Sequence, residues 1–599
     1  MTTAGVTPGK FEIPASYDMA ENAALTDILD ELSRTAPEFV AFQIPGSGGW
    51  SDVTAARFAT QVRAVAKGLI ASGVEVGDRV ALMSSTRYEW TLLDYAIWTA
   101  GACTVAIYES SATEQARWIL EDSGASLLIV ENDRHVRTVG EIVLPDLHGA
   151  LRIDAGAVEL LIERGKTLGD SVIAERRLRV RADSPATLIY TSGTTGRPKG
   201  VVLTHGNLLC EAISGKLALS NLLVEGQRTL MFLPLAHVFA RAISVGALNA
   251  RVTVAHTSDW STLTSQFASY QPDFILAVPR VFEKIYNGAK QRAHDNGQGR
   301  VFDMAADAAI AWSKAQQAAG PGLGLRLSHA AFDRLVYAKL RAALGGRCEG
   351  AISGGGPLGE RLGHFFRGIG MPVYEGYGLT ETSAALTLNT VTHMRVGTVG
   401  RPLQGNAVRV AEDGELLLSG NLVCDGYWNN ESATAEAFEE GWFRTGDLGA
   451  IDADGFVTIT GRKKEIIVTA AGKNVSPAPL EDALRAHPLI GQCMVVGDGK
   501  PFVGALITLD REALPGWAQR HGLDVADVAD LARHPALIEE VDAAVAATNT
   551  TVSKAEAIKK VRILAADWTQ ETGELTPKMS LKRAVVLAEY AADIEAIYS

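Results

Sequence analysis

The run Tyr190-Thr191-Ser192-Gly193-Thr194-Thr195-Gly196-Arg197-Pro198-Lys199-Gly200 constrains this chain more than any other segment. Apolar Thr187-Leu188-Ile189-Tyr190 leads into it and Val201-Val202-Leu203 follows, which reads as a loop between two strands. Its glycines let a ligand approach the backbone closely. Its hydroxyls and exposed N–H groups can donate hydrogen bonds, and Arg197 and Lys199 add positive charge. Such a loop suits a polyanion, most simply a nucleoside triphosphate. It is not a P-loop: the spacing Gly-x4-Gly-Lys-Ser/Thr is absent, and no helix-start pattern follows directly. A plain hairpin turn needs only about two to five residues and no cations, so it does not account for the run.

At 599 residues the chain is too long for one compact core, so two or more domains are expected. Hydrophobic residues make up 47% and charged residues 21%, an ordinary globular balance rather than a disordered one. The formal charge of -13 argues against nucleic acid as a main partner, because a phosphate backbone needs a basic face. A local basic pocket stays compatible with it. Cys103, Cys210, Cys348, Cys424 and Cys493 are scattered, with no pair at metal-ligand spacing. Buried free thiols in a reducing cytosol are expected. Met1 to Glu12 lacks the apolar core of a signal peptide, and no apolar run approaches the roughly 20 residues of a membrane span. A cytoplasmic protein is expected, with peripheral membrane contact left open.

The first third alternates helical and strand patterns. Thr54 can cap a helix whose apolar face is Phe58, Val62, Val65, Leu69 and Ile70, ended by Gly73. Val80-Ala81-Leu82-Met83 and Leu127-Leu128-Ile129-Val130 read as buried strands, which argues for parallel α/β layers. Gln291 to Leu344 reads as helical, broken into two helices at Pro321-Gly322-Leu323-Gly324. Phe332, Leu335, Val336 and Leu340 form its apolar stripe, most simply a face packed on the core. Gly414 to Ser419 and Gly455 to Thr460 read as short antiparallel strands. A smaller mixed unit follows, after a plausible linker at Arg462-Lys463-Lys464-Glu465.

Further segments carry chemistry. Tyr374-Glu375-Gly376-Tyr377-Gly378-Leu379-Thr380-Glu381-Thr382 places an aromatic face, suited to stacking a base, beside a hard carboxylate ligand. Mg2+ typically takes one or two carboxylates plus substrate phosphates, and Thr380 can donate to a phosphate oxygen. Alone, Gly-Tyr-Gly is weak, since a tyrosine on a core strand is a common arrangement. Gly354-Gly355-Gly356 permits backbone contact with a flat purine, or is a plain strand-to-loop turn. In Trp442-Phe443-Arg444-Thr445-Gly446-Asp447-Leu448-Gly449, Asp447 can accept both ribose hydroxyl protons, or is a turn aspartate beside Gly446.

Taken together, these segments resemble the adenylate-forming superfamily of acyl-CoA synthetases, peptide-synthetase adenylation domains and luciferases. The resemblance covers nearly the whole chain and implies an α/β protein. Residues 1–461 would form a large N-terminal domain of layered α/β units with a β subdomain. Residues 462–466 would be a hinge, and 467–599 a small mobile α+β lid. The resemblance assigns ATP phosphates to Thr191, Ser192, Gly193, Thr194, Thr195 and Lys199. It places adenine between Gly354-Gly355-Gly356 and Tyr377, gives Glu375 and Gly376 to the ATP/AMP site, and assigns ribose to Asp447. Thr380 would contact the adenylate phosphate, Glu381 would hold Mg2+, and Arg462 would also reach the nucleotide. Lys464 falls at the pivot. The family's Ser-Gly-Lys pattern is Ser580-Leu581-Lys582 here, making Lys582 the catalytic lysine and Lys578 the fallback. His237, Gly378 and Gly472 fall on the acyl and thiol side, although Thr469-Ala470-Ala471-Gly472 departs from the commonest motif.

The implied reaction is a ligation. The substrate carboxylate attacks the ATP α-phosphate, pyrophosphate leaves, and a thiol then attacks the acyl-adenylate. The resemblance is strongest to mycobacterial-type long-chain fatty acyl-CoA synthetases, through Ala277-Val278-Pro279-Arg280-Val281-Phe282-Glu283-Lys284, the helical segment Phe332 to Leu340 and Leu344-Gly345-Gly346-Arg347. It implies fatty acid, ATP and CoA as small-molecule substrates, with a homodimer left open. The alternatives are a fatty acyl-AMP ligase that serves a carrier protein and a nucleotide-binding regulator without catalysis. Glu381, Asp447, Arg462 and Lys582 together argue against the second.

Overall fold

The computed structural model describes residues 5–7, 9–46, 49–140, 149–191, 197–523, 528–576 and 579–599. Ser192, Gly193, Thr194, Thr195 and Lys578 therefore lie outside the described residues. The helix expected after Thr54 runs Ala55–Ala71, and the Thr54 hydroxyl accepts the Arg57 amide at its start. Phe58, Val62, Val65 and Leu69 are buried on one face, as a 3.6-residue period requires.

Arg79–Met83 pairs in parallel with Cys103–Ile107 and Leu127–Val130. The helices Tyr88–Thr99 and Thr113–Ser123 provide the crossovers that parallel pairing needs. The sheet order is Lys199–Thr204, Pro185–Thr191, Cys103–Ile107, Arg79–Met83, Leu127–Val130, Ala150–Arg152. Pro185–Thr191 and Lys199–Thr204 are antiparallel, so the expected phosphate loop joins two strands at one edge of this sheet. A second sheet has a parallel interior of Val373–Tyr377, Gly350–Ser353, Phe274–Ala277, Arg228–Met231, Thr253–His256 and Val40–Gly46. Its central strands Phe274–Ala277 and Gly350–Ser353 are buried along their whole length, as strands covered on both faces are.

One ion pair lies deep in this core. Arg241, on helix Val238–Asn249, pairs with Asp94, on Tyr88–Thr99, with side chains 1% and 3% exposed. The guanidinium lies 5.1 Å from the Trp90 ring centre and 5.3 Å from that of Trp98. Thr104 donates to the same carboxylate at 2.6 Å. Buried charges persist when paired and fully hydrogen-bonded, and this pair ties the helix that follows His237 to the first sheet.

A third sheet is antiparallel, with Lys10–Ile13, Asn406–Val410, Glu415–Gly420, Trp442–Ile451 and Val457–Arg462 as its main strands. It contains both short strands expected from the glycine-bounded segments. Beyond it, Ile490–Val496, Val503–Leu509 and Ile558–Leu564 form a smaller sheet, and Pro477–Arg485 and Pro535–Asn549 pack on it. Among the described residues no helix is long and apolar enough to cross a membrane.

The helical region departs from expectation. It consists of Pro279–Asp295, Gly299–Gln317, Leu323–Phe332 and Ala338–Ala343, with a π-helical turn at Asp333–Tyr337. Leu323 and Gly324 lie inside a helix rather than in the break. A π-turn inserts an extra residue and rotates the face that follows. Leu335 is therefore turned out, 57% exposed. Tyr337 is buried in its place, and its hydroxyl donates to the Ala305 carbonyl at 2.7 Å. Phe332, Val336 and Leu340 remain half-buried against the core.

Candidate active site

Thr191 ends its strand directly opposite Lys199. Trp118 Nε1 donates to the Pro198 carbonyl at 2.9 Å, and the Arg197 guanidinium lies 4.5 Å from the Trp118 ring centre. Both cations of the motif thus stand at the loop's exit on a fixed base.

Val373–Tyr377 runs parallel to Gly350–Ser353, so the Gly354 run and the Gly378–Glu381 segment leave neighbouring strands at the same carboxyl-terminal edge. Ligands of open parallel sheets bind at that edge. Gly355 has φ +80°, which favours glycine. A side chain on Gly354 would come within 3.2 Å of the Phe239 ring. On Gly378 it would fall 1.6 Å from the Ala384 carbonyl oxygen, so no other residue fits there. Gly376 lies beside the same turn, where an added Cβ would sit 3.4 Å from that of Ala385. The Glu375 carboxylate accepts the Leu358 amide at 2.9 Å, and burial pushes it up to about 7.

Thr380 and Glu381 occupy a single 3-10 turn, Thr380–Thr382. The next residues, Ser383 (φ +59°) and Ala384 (φ +116°), have backbone conformations rare outside glycine. Such strain persists where the surroundings over-determine it. Here Ser383 Oγ donates to the Leu422 carbonyl at 2.8 Å, and the Leu386 amide returns to the Tyr377 carbonyl at 3.0 Å.

Three of the expected nucleotide residues meet directly. The Tyr377 hydroxyl donates to Asp447 Oδ2 at 2.7 Å, and Arg462 Nε lies 2.9 Å from Asp447 Oδ1. Asp447 is within the strand Trp442–Ile451, not in a turn, and its side chain is 4% exposed. Burial, and next the Asp447 carboxylate, push the Tyr377 phenol well above its usual range, so it remains a donor.

A second group gathers around Glu381. The Tyr427 hydroxyl donates to Glu381 Oε1 at 2.9 Å, and Lys199 Nζ lies 5.1 Å from the centre of the Tyr427 ring. The other Glu381 oxygen has no hydrogen bond among the described residues. One hard carboxylate oxygen beside a threonine, a tyrosine and a lysine fits a cation that takes most of its shell from phosphates and water, as Mg2+ does. It does not fit an ion that needs an all-protein cage, and no group of three or more His, Cys, Asp or Glu suited to a metal occurs among the described residues.

Other expected residues stand apart. Lys464 is exposed in the 3-10 turn Lys463–Glu465, while Arg462 is the last residue of a strand. Gly472 lies in an exposed turn. His237 begins helix Val238–Asn249, its Nδ1 accepting the Phe239 amide at 3.1 Å. The Lys582 amide donates to the Glu574 carbonyl at 2.7 Å. Among the described residues no hydrogen bond or ion pair joins Lys582 to Glu381, Asp447 or Arg462. Its neighbour Arg583 reaches Glu481 and, at 3.4 Å, Glu465 in the expected hinge.

Sequence reasoning missed Tyr427. Gly426-Tyr427-Trp428 holds no run of charged or nucleophilic residues, and its importance comes from contacts with residues distant in sequence. It also missed Glu211, buried on helix His205–Ala218, whose carboxylate accepts the Ala385 amide at 3.3 Å. A lone acidic residue inside the apolar helix His205–Ala218 was the available signal.

Residues 29–428 match the AMP-binding enzyme family, and residues 464–599 match the AMP-binding enzyme C-terminal domain. Long-chain-fatty-acid–CoA ligase FadD15 of Mycobacterium tuberculosis is 53% identical over 98% of this chain and 99% of its own length. Long-chain-fatty-acid–CoA ligase ACSBG1 of Homo sapiens is 29% identical over 94% of this chain and 83% of its own. The adenylation domain of a carboxylic acid reductase from Segniliparus rugosus, solved with AMP and a co-purified carboxylic acid, superposes with a TM-score of 0.74. It is 21% identical, over 97% of this chain and 94% of that one. The chain belongs to the AMP-binding, adenylate-forming enzyme superfamily, in its mycobacterial long-chain acyl-CoA ligase branch.

Proposed function

We propose that this chain is an AMP-forming long-chain fatty acid–CoA ligase, working in the cytoplasm on ATP, a fatty acid and CoA. The observation that carries the reading is the meeting of Tyr377, Asp447 and Arg462 beside the Thr380–Glu381 turn. Similarity along the full length to a mycobacterial ligase supports the substrate class.

A carboxylate is a poor electrophile, and attaching AMP supplies a leaving group. The fatty acid carboxylate attacks the α-phosphate, and the bond to pyrophosphate breaks. No protein nucleophile is required; the site has to position two anions and offset their charge. Asp447 would accept the ribose hydroxyls, and Tyr377 and the Gly354–Gly356 run would enclose adenine. Lys199, Arg462 and Lys582 would balance phosphate charge, and Thr380 would donate to the adenylate phosphate. Glu381 would hold Mg2+, which supplies further positive charge on the phosphates. In the second step the CoA thiolate attacks the acyl carbonyl and AMP leaves. We assign residues 462–466 as the hinge by which residues 467–599 would move between the steps, Lys464 as the pivot, and the acyl and thiol sides to His237, Gly378 and Gly472.

The test is pyrophosphate release from ATP with Mg2+ across carboxylic acids from acetate to C20, with and without CoA. CoA-dependent turnover on long chains supports the reading. Acyl-AMP that accumulates without thioester replaces it with an acyl-AMP ligase that serves a carrier protein.

A further inference from the structure

Tyr427 has no assigned role, yet it touches both the lysine at the phosphate-loop exit and the carboxylate assigned to the metal. Its backbone is held at several points. It bridges antiparallel to Val201, and its amide donates to Thr434 Oγ1 at 3.0 Å. On either side, the Val202 amide donates to the Gly426 carbonyl at 3.1 Å and the Trp428 amide to the Gly200 carbonyl at 2.7 Å. Residues 426–428 thus lie along the strand Lys199–Thr204. From the other direction, the Cys424 amide donates to the Glu381 carbonyl at 2.8 Å. The backbone that carries Tyr427 is therefore laced to the backbones of both groups that its side chain meets.

The side chain uses two surfaces. The hydroxyl takes one oxygen of Glu381, which fixes the plane of the carboxylate and leaves the second oxygen for a ligand. The ring face lies under the Lys199 ammonium, a geometry in which the ring quadrupole attracts a cation. Groups hydrogen-bonded to a metal-binding side chain commonly change metal affinity or activity about 10–100-fold when removed.

We propose that Tyr427 is a positioning residue for the triphosphate–divalent cation complex, aligning Glu381 through its hydroxyl and Lys199 through its ring so that both converge on the same phosphates. This rests on the reading of Glu381 as the metal carboxylate. It divides Tyr427 into two separable parts. The hydroxyl serves the metal, and the ring serves the lysine.

The test is calorimetric binding of ATP without fatty acid, with Mg2+ and again with EDTA, on wild type, Tyr427→Phe, Tyr427→Leu and Glu381→Gln. AMP binding and thermal unfolding serve as controls for the nucleotide pocket and the fold. Tyr427→Phe is expected to lose about tenfold of the Mg2+-dependent gain in ATP affinity while binding metal-free ATP like wild type. Tyr427→Leu is expected to weaken metal-free ATP as well. If Glu381→Gln loses the metal-dependent gain and Tyr427→Phe keeps it, the role of Tyr427 is overturned. If Glu381→Gln keeps the gain, the metal reading of Glu381 is overturned, and with it the hydroxyl's role.

Discussion

Asp447 and Arg462 are register partners on adjacent strands, and their side chains pair at 2.9 Å. Tyr377 holds the other carboxylate oxygen at 2.7 Å. A carboxylate has about four acceptor positions, so both ribose hydroxyls can still bond to it. Asp447→Asn is expected to raise the KM for ATP by roughly 10- to 100-fold, the scale of hydrogen bonds to a charged group. It should also erase most of the preference for ATP over its 2′,3′-dideoxy analogue. Steady-state pyrophosphate release with both nucleotides measures this, and undiminished preference in the variant would remove Asp447 from the ribose site.

Lys582 is anchored through its backbone, and its side chain makes no ion pair among the described residues, so truncation should leave the fold intact. Lys582→Ala is expected to slow adenylation by about 100-fold or more, the scale of losing one transition-state donor. Conversion of supplied acyl-adenylate to acyl-CoA should stay near wild type. Equal damage to both half-reactions would contradict the assignment.

Lys464 is exposed in a short 3-10 turn, where a proline would restrict rotation of the chain without disturbing a core. Lys464→Pro is expected to spare adenylation and impair thioester formation. Single-turnover assays of each step decide it; matched losses would move the pivot elsewhere.

Glu211 offers a prediction about pH. Its second oxygen has no partner among the described residues, and burial raises the carboxyl from its ordinary 4.5 to about 8. Between those values the unfolded chain binds fewer protons at this site than the folded one. Stability therefore falls as pH rises through that window and levels off above it. The slope is at most roughly 1.4 kcal/mol per pH unit. Glu211→Gln should match wild type near pH 4.5 and exceed it near pH 8. Denaturant midpoints across this range test it, and parallel curves for the two proteins would refute it.

The helix Pro279–Asp295 forms a seat for the small unit. Arg280 pairs with Asp510 at 3.2 Å, Lys284 with Glu512 at 2.8 Å and Asp295 with Arg520 at 2.6 Å. At about 100° per residue these positions share one face of the helix. At its start, Val278 and Pro279 lie within 4 Å of where side chains on Gly355 and Gly356 would project. Arg280 and Asp510 are half-buried, whereas the other two pairs are exposed; exposed pairs are individually weak, about 0–1 kcal/mol, so these two should release readily. Lys284→Ala combined with Asp295→Ala is expected to speed tryptic cleavage at Arg462–Lys464, and 0.5 M salt should do the same to wild type. Unchanged cleavage under both conditions would show that these pairs do not hold the unit.

Much of this was legible in the sequence because it is local. The capped helix at Thr54 and the parallel strands follow from period and punctuation alone. Asp447, Arg462 and Tyr377 could be singled out through their motifs, but not their mutual contact, which depends on strand register and on a neighbouring sheet. The π-turn at Asp333–Tyr337 was hidden, since a single inserted residue leaves no compositional trace while exchanging Leu335 for Tyr337 at the core. Tyr427 was hidden for a similar reason: it acts only through partners far away along the chain.

Arg462 closes a strand laddered to Trp442–Ile451, so a rotation of the small unit would begin after it. The groups assigned to the sugar and phosphate would then keep their grip while Lys582 is withdrawn. A mixed anhydride that water destroys would pass from one reaction to the next without ever being set free. Leakage of acyl-AMP into solution should then depend on how firmly a single strand pairing holds, more than on how fast the lid swings.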